Sequence, residues 1–210
     1  MPYTRRDEGQ LSTQPEAVGS RHRPRVGVLA LQGSVEPHLH ALERLGHDPV
    51  EVRRPEQLEG LTHLIIPGGE STTVVKLLEL YGLWDPIEGR GRAGDLAIFG
   101  TCAGAIVLGR EHEVRPERMG LIDITVDRNA YGRQIDSFVS AIEVDPSIDD
   151  GTFEGVFIRA PKFSDPGPDV EVWGKLDGEP VLARQGRMLA ATFHPELGRS
   201  TAIHERFLEL

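Results

Sequence analysis

The chain has 210 residues, 39% of them hydrophobic, with 33 acidic and 23 basic side chains and a formal net charge of −10. That length supplies one domain with a sizeable core, and the acidic balance argues against a nonspecific binder of nucleic acid or anionic membrane. A single Cys excludes an intrachain disulfide framework and any multi-thiolate metal site.

No apolar run reaches the ~18 residues of a membrane span, and no apolar signal-peptide core stands in residues 1–25. The expected location is cytoplasmic. Residues 1–25 carry five Arg against three acids and are otherwise rich in Gly, Ser, Pro, Thr and Gln. Such a segment buries too little to offset its ordering entropy, so a disordered basic leader is expected there. Residues 26–210 contain no internal repeat or linker and are expected to form a single domain.

From residue 26 the pattern alternates between strand and helix. VGVLAL (26–31) reads as a buried strand, followed by Ser34 as N-cap of a helix through Leu45 with Leu39, Leu42 and Leu45 inward. Residues 50–53 and THLIIP (62–67) are the next strands, and 71–82 is a helix with Val74, Val75, Leu77 and Leu78 inward. DLAIFG (95–100) is a strand that runs directly into a small-residue helix, CAGAIVLG (102–109). Residues 124–126, 138–144, 153–160, 170–176 and 181–193 read as further strands, the last folded at Gln185-Gly186 into a hairpin. A final helix starts near Ser200, with Ile203, Phe207 and Leu208 inward. The expected fold is three-layer α/β, a mostly parallel central sheet with flanking helices, plus antiparallel strands in the second half.

Three segments carry chemistry. In GTCAG (100–104) a strand turns straight into a helix, which puts Cys102 in the position of a nucleophile elbow. Backbone N–H groups at that helix start can lower a thiolate's pKa and hold an oxyanion. Of the eight His, seven read as surface or packing residues. His194 differs: it ends a strand in Phe193-His194-Pro195-Glu196, so a carboxylate two residues on can orient the imidazole.

PGGEST (67–72) follows a strand and opens a helix, making a backbone nest suited to an anionic oxygen, with Ser71 as a possible cap. It lacks the spacing and the Lys of a P-loop. If its strand neighbours DLAIFG, the N–H groups of Gly69 and Ala103 form a two-donor oxyanion hole. Arg128, in a polar loop between strands, and Arg159, closing a strand, can bind a substrate carboxylate or pair on the surface. No HExxH or EF-hand loop is present.

Together, LQGSVEPH (31–38), PGGEST (67–72), GTCAGAI (100–106), RNAYGRQ (128–134), IRAP (158–161) and FHPE (193–196) resemble the glutaminase-subunit family of pyridoxal 5′-phosphate synthase. These are triad-type class I glutamine amidotransferases, and the resemblance runs from about residue 26 to 210. It implies Cys102 as nucleophile, His194 as base and Glu196 as its orienter. It implies glutamine contacts at Gly69, Glu70, Ser71, Arg128, Ile158 and Arg159. The implied reaction is hydrolysis of L-glutamine to glutamate and ammonia. The ammonia would pass to a (β/α)₈-barrel synthase subunit that makes pyridoxal 5′-phosphate, with no metal or organic cofactor on this chain. Three other readings stay open on the residues: a glutaminase serving imidazole glycerol phosphate synthesis, a free-standing thiol hydrolase or peptidase, and a non-catalytic subunit with an inert thiol.

Overall fold

The computed structural model describes residues 23–110, 118–128 and 137–210. The leader expected over 1–25 lies outside the described residues up to residue 22, as do His22, His112 and residues 129–134 of the RNAYGRQ motif. From Arg23 on, the chain lies against the body: the Arg23 guanidinium donates to the Leu45 and Gly46 carbonyls, and the Arg25 N–H donates to Thr62 Oγ1.

The first half builds strands β1 (Val26–Leu29), β2 (Val50–Val52), β3 (His63–Ile66) and β4 (Ala97–Thr101). Between and after them come helices α1 (Val35–Arg44), α2 (Ser71–Leu80), α3 (Trp84–Ala93) and α4 (Ala103–Leu108). The second half adds β5 (Thr125–Asp127), β6 (Phe138–Val144), β7 (Thr152–Phe157), β8 (Lys162–Ser164), β9 (Glu171–Leu176), β10 (Glu179–Gln185) and β11 (Met188–Ala191). A 3₁₀ turn (Pro195–Leu197) and helix α5 (Ala202–Leu208) close the chain.

Nine strands form one sheet in the order β2-β1-β3-β4-β11-β10-β9-β6-β7, and β5 pairs with β8 separately. From β2 to β11 all neighbours are parallel; from β11 to β7 they are antiparallel. This is the expected three-layer architecture. The parallel strands are buried on both faces, so successive residues feed different cores. Leu29, Ile66 and Ile98 pack with α2 and α4, whereas Val28, Ile65 and Phe99 pack with Leu42 of α1 and Phe207 of α5.

Several local expectations are corrected. Ser34 makes no side-chain cap for α1, whose buried face is His38, Ala41 and Leu42, with Leu39 only half-buried. Glu70, not Ser71, caps α2: its carboxylate accepts from the N–H groups of Thr72 and Thr73. Helix α3 and the three-residue β8 have no counterpart among the elements expected from sequence.

Topology decides where a site can form. Chain order reverses across β1 and β3: from β1 the chain crosses to β2 on one side, then returns to β3 on the other. In open α/β sheets, ligands bind outside the carboxyl ends of the strands at such a point. The loops after β1 and β3 meet there, with the Ser34 N–H donating to the Gly68 carbonyl at 2.9 Å.

Candidate active site

Cys102 follows the last residue of β4 and stands at φ 48°, ψ −102°, a strained backbone for a non-glycine residue. Glycines on either side make the turn possible. A Cβ at Gly100 would lie 2.5 Å from the Gly104 carbonyl, and one at Gly104 would lie 2.0 Å from the Ile66 oxygen. No side chain fits at either position, so α4 can press directly onto β3.

His194 arrives from the neighbouring strand. β11 runs parallel to β4 with Ala191 opposite Thr101, so both carboxyl ends lie on one edge. Pro195 opens the 3₁₀ turn, and the turn brings Glu196 back beneath the imidazole. His194 Nδ1 lies 2.7 Å from Glu196 Oε1, and both side chains are buried. The imidazole and Cys102 both pack against Gly68, and the Cys102 thiol donates to the Ile158 carbonyl at 3.8 Å.

Electrostatics favour imidazolium here. Burial works to lower the His194 pKa, but hydrogen bonds to Cys102 and Glu196, together with their negative charge, raise it to about 10. Burial likewise opposes the charge on Glu196. The facing His38 and the hydrogen bond and charge of His194 outweigh it, holding the carboxyl below its ordinary range.

A pocket of ≈ 360 Å³ opens over Cys102, within the range of small-ligand sites. Its lining includes Gly69, Glu70, Ser71, Cys102, Ala103, Arg128, Ile158, Arg159 and His194. Every site residue named from the sequence lies on this wall except Glu196, which sits behind His194. Gly69 and Ala103 contribute backbone N–H groups with no acceptor among the described residues.

Two of the charged residues on this wall pair with each other. Arg128 reaches Glu70 Oε1 and Thr72 Oγ1, each at 3.2 Å. Hydrogen bonds from Thr73, against a small burial effect, and from Thr72 keep the Glu70 carboxyl below its usual range. Arg159 adopts a left-handed backbone, φ 44°, beside the pocket.

Sequence reasoning missed other contributors. Gln32 lines the pocket, and its Oε1 accepts the Glu70 N–H at 3.0 Å; its signal was its place just past the carboxyl end of β1. Gly68 packs against the imidazole, where a Cβ would lie 2.3 Å from His194 Cε1. Its N–H donates to Thr101 Oγ1 at 3.0 Å. His38 and His204, read as surface or packing residues, are buried behind Glu196. Among the described residues, no group of three or more His, Cys, Asp and Glu could hold a metal ion.

The family model of the SNO glutamine amidotransferases matches residues 28–210. The chain belongs to this SNO glutamine amidotransferase family. Its relatives within the family include a pyridoxal 5′-phosphate synthase subunit PdxT of Thermus thermophilus, 52% identical over 187 residues, covering 88% of this chain and 96% of the relative. PdxT of Chloroflexus aggregans is 51% identical over 190 residues, covering 88% and 99%. A solved glutamine amidotransferase superposes with a TM-score of 0.82 at 52% identity, covering 88% of this chain and 97% of that one. PurLQS of Thermotoga maritima, at 19% identity and a TM-score of 0.65, shares the fold.

Proposed function

We propose that this chain is the glutaminase subunit of a pyridoxal 5′-phosphate synthase, with residues 26–210 as one glutamine amidotransferase domain. The observation that carries the reading is the contiguity of Cys102 and His194 at the floor of a pocket, with Glu196 behind the imidazole, on a chain half identical to PdxT subunits. No helix among the described residues is long and apolar enough to cross a membrane. The reading sets the enzyme to work in the cytoplasm.

Catalysis begins from the Cys102 thiolate and the His194 imidazolium. The thiolate attacks the side-chain amide carbon of L-glutamine. The resulting oxyanion is held by the N–H groups of Gly69 and Ala103. His194 Nε2 delivers its proton to the amide nitrogen, the C–N bond breaks, and ammonia leaves. Water then attacks the glutamyl thioester, with neutral His194 taking the water's proton, and glutamate is released as the thiolate returns. Glu196 keeps the imidazole in one tautomer and in the plane of attack throughout.

Glutamine's α-carboxylate and α-ammonium need partners at the pocket mouth. Arg128, Glu70 and Arg159 are the charged groups on that wall, with Ser71 and the Ile158 carbonyl as neutral ones. The Arg128–Glu70 pair is exposed enough to open without a large cost, so each partner can turn to one end of an amino acid. Ammonia released at Cys102 is passed to a (β/α)₈-barrel synthase subunit.

The test is direct. Glutamate release from glutamine is followed with and without the barrel subunit, for the wild type and for Cys102→Ala. A glutamine-like chloroketone should add one equivalent of mass at Cys102. Labelling elsewhere, or undiminished turnover by Cys102→Ala, overturns the reading.

A further inference from the structure

Glu196 gives one carboxylate oxygen to His194, while the other, Oε2, is buried with no hydrogen-bond partner in good geometry. A buried carboxylate oxygen without a donor is costly, and native structures rarely leave one so. The group facing it is His38 Nε2, at 3.4 Å. His38 belongs to α1, is fully buried, and forms no part of the pocket wall. Its Nδ1 lies 3.0 Å from Nε2 of His204 on α5, and its Nε2 lies 3.2 Å from Thr101 Oγ1. Thr101 Oγ1 in turn accepts the Gly68 N–H.

Counting protons selects one arrangement. A hydrogen on His38 Nε2 supplies the carboxylate with a donor and leaves Nδ1 free to accept from His204 Nε2–H. The atom then left over is a bare lone pair on His204 Nδ1, which is buried without a partner. The reverse arrangement lets the Thr101 hydroxyl donate to His38 Nε2, but it leaves the charged carboxylate oxygen without a donor and buries an unpaired His204 N–H. Burial disfavours the charged form of both rings. It lowers His38 against the opposing pull of Glu196, and takes His204 down to about 3. A neutral donor steadies the carboxylate without competing with His194 for its charge.

On the reading that Cys102, His194 and Glu196 form the catalytic triad, we infer that His38 is a positioning residue for glutamine hydrolysis: its Nε2–H is the second donor to Glu196, aimed by His204. Through Thr101 the same imidazole ties the triad's acid to the Gly68 turn. The 3.4 Å contact is long for a hydrogen bond. Catalytic contacts of this kind commonly shorten once substrate is bound. Fixing Oε2 stops the carboxylate from rotating away from His194 each time the imidazole changes charge.

The experiment measures glutamine turnover in the complex with the barrel synthase subunit, for wild type, His38→Leu, His38→Asn and His38→Gln, with thermal unfolding of each. A Gln amide carries an N–H near the position of Nε2, whereas Asn reaches only the Nδ1 side. His38→Leu and His38→Asn should lower kcat about tenfold to a hundredfold, the worth of one hydrogen bond to a charged group. KM should stay within about twofold, because His38 does not line the pocket. His38→Gln should recover most of the lost kcat. Should His38→Leu fail to fold, the contrast between Gln and Asn decides. Equal kcat in wild type and His38→Leu, or Asn rescuing as well as Gln, overturns the inference alone. A wild-type complex that does not hydrolyse glutamine overturns the glutaminase reading and the inference with it.

Discussion

The Cys102 N–H donates to the Ala191 carbonyl at 2.8 Å, one step past the paired register of β4 and β11. This bond anchors the elbow to the strand that carries His194, three residues further on. Two residues 92 positions apart in sequence are thus held together by parallel pairing. The backbone sets the thiol and the imidazole side by side before any side-chain contact forms.

Cys102 itself stores strain. A non-glycine residue with φ near +50° costs on the order of 1–3 kcal/mol, retained where function needs the geometry. Cys102→Ala keeps that strain and loses the nucleophile, whereas Cys102→Gly loses both. Glutamine hydrolysis should vanish in both variants. Chemical denaturation should find the Gly variant the more stable by about 1 kcal/mol, despite its lost side-chain contacts. A less stable Gly variant would mean that packing of the Cys102 side chain outweighs the backbone strain.

The pH dependence follows from His194. Its pKa stands at about 10, so imidazolium persists across neutral pH and is lost only as pH rises through that value. The stability this group contributes is therefore fully present below its ordinary 6.5 and disappears as pH climbs towards 10. Activity should fall on the same alkaline limb. Glu196→Gln removes a negative charge that raises the imidazolium pKa, so the limb should move to lower pH. His194→Ala should reduce kcat/KM by about 10²–10⁴-fold, the usual worth of a general acid–base residue, and Glu196→Gln by less. Rate profiles from about pH 6 to 10.5 on the two variants and wild type check both statements.

Gly68 offers a steric test of the same geometry. An added Cβ would lie 2.3 Å from His194 Cε1 and 3.2 Å from Cys102 Cβ. The ring can escape only by leaving Glu196, since its other face is enclosed by the core. Gly68→Ala should therefore fold with near wild-type stability and lose most of its turnover. Alkylation of Cys102 by iodoacetamide should also slow, because the displaced imidazole no longer supports the thiolate. Unchanged turnover would mean that His194 need not hold the position seen here.

Much of this was legible in the chain. Apolar runs such as 26–31 and 62–67 became strands because each pattern matched what its two faces bury, whereas 138–144 forms a strand with Phe138 and Val139 exposed. The strand–GTCAG–helix and FHPE segments ended on one sheet edge, as elbow chemistry requires. Helix α3 was not legible. Its sequence WDPIEGRGRA has one buried apolar residue, Ile87, and two glycines. What holds it is tertiary: Arg90 reaches the carbonyls of Leu58 and Leu61, and Gly91 lets Leu121 and Ile98 pack close. The inward faces of α1 and α5 were read only in part for a related reason: Leu42, Ile203 and Phe207 are buried as expected, but the two His beside them were missed. Sequence patterns count His38 and His204 as polar, but here they hydrogen-bond one another and Thr101 inside the core. Only the strand order, which sets α1 and α5 on the same face of the sheet, reveals that they meet.

Those buried rings set the acid limit of the fold. Burial, with His38 and Arg44 beside it and Glu196 opposing, lowers His204 to about 3. Burial, Arg187 and His47 bring His63 to about 4. Both titrate near 6.5 once unfolded, so between these values the unfolded chain binds more protons. Stability is then fully present above pH 6.5 and declines as pH falls towards 3. Denaturant midpoints at about pH 7.5, 5.5 and 4.5 should drop progressively in wild type. His204→Gln removes one such group while keeping an N–H for His38, so its midpoints should fall less steeply. A variant with the wild-type slope would show that His204 is not titrating in this range.

The remaining prediction concerns the partner. A glutaminase that releases ammonia into solvent wastes glutamine, so a gate on the oxyanion hole is useful. The turn 67–70 has the means. Gly68 N–H is held by Thr101 and Glu70 N–H by Gln32, while the Gly68 carbonyl, in one peptide plane with the Gly69 N–H, accepts from the Ser34 N–H. Rotating that one peptide plane releases the Ser34 hydrogen bond and moves one donor into or out of the hole at little steric cost. One such donor is worth on the order of 3 kcal/mol, about a hundredfold in rate. The isolated chain should therefore turn glutamine over slowly, and the barrel synthase subunit should raise kcat at least ~10-fold. Docking should surround the carboxyl edge of the sheet near residues 32–38, 69–72 and 102–106, where ammonia must leave. Gln32→Ala frees the Glu70 N–H and loosens the turn, so it should narrow the ratio between docked and isolated rates. Ligand linkage adds a second readout: if glutamine favours the docked state, the partner must bind more tightly when glutamine is present. Calorimetry with and without glutamine in the Cys102→Ala background measures this without turnover. Equal rates with and without the synthase, or partner affinity indifferent to glutamine, would remove the gate and leave the hole permanently formed.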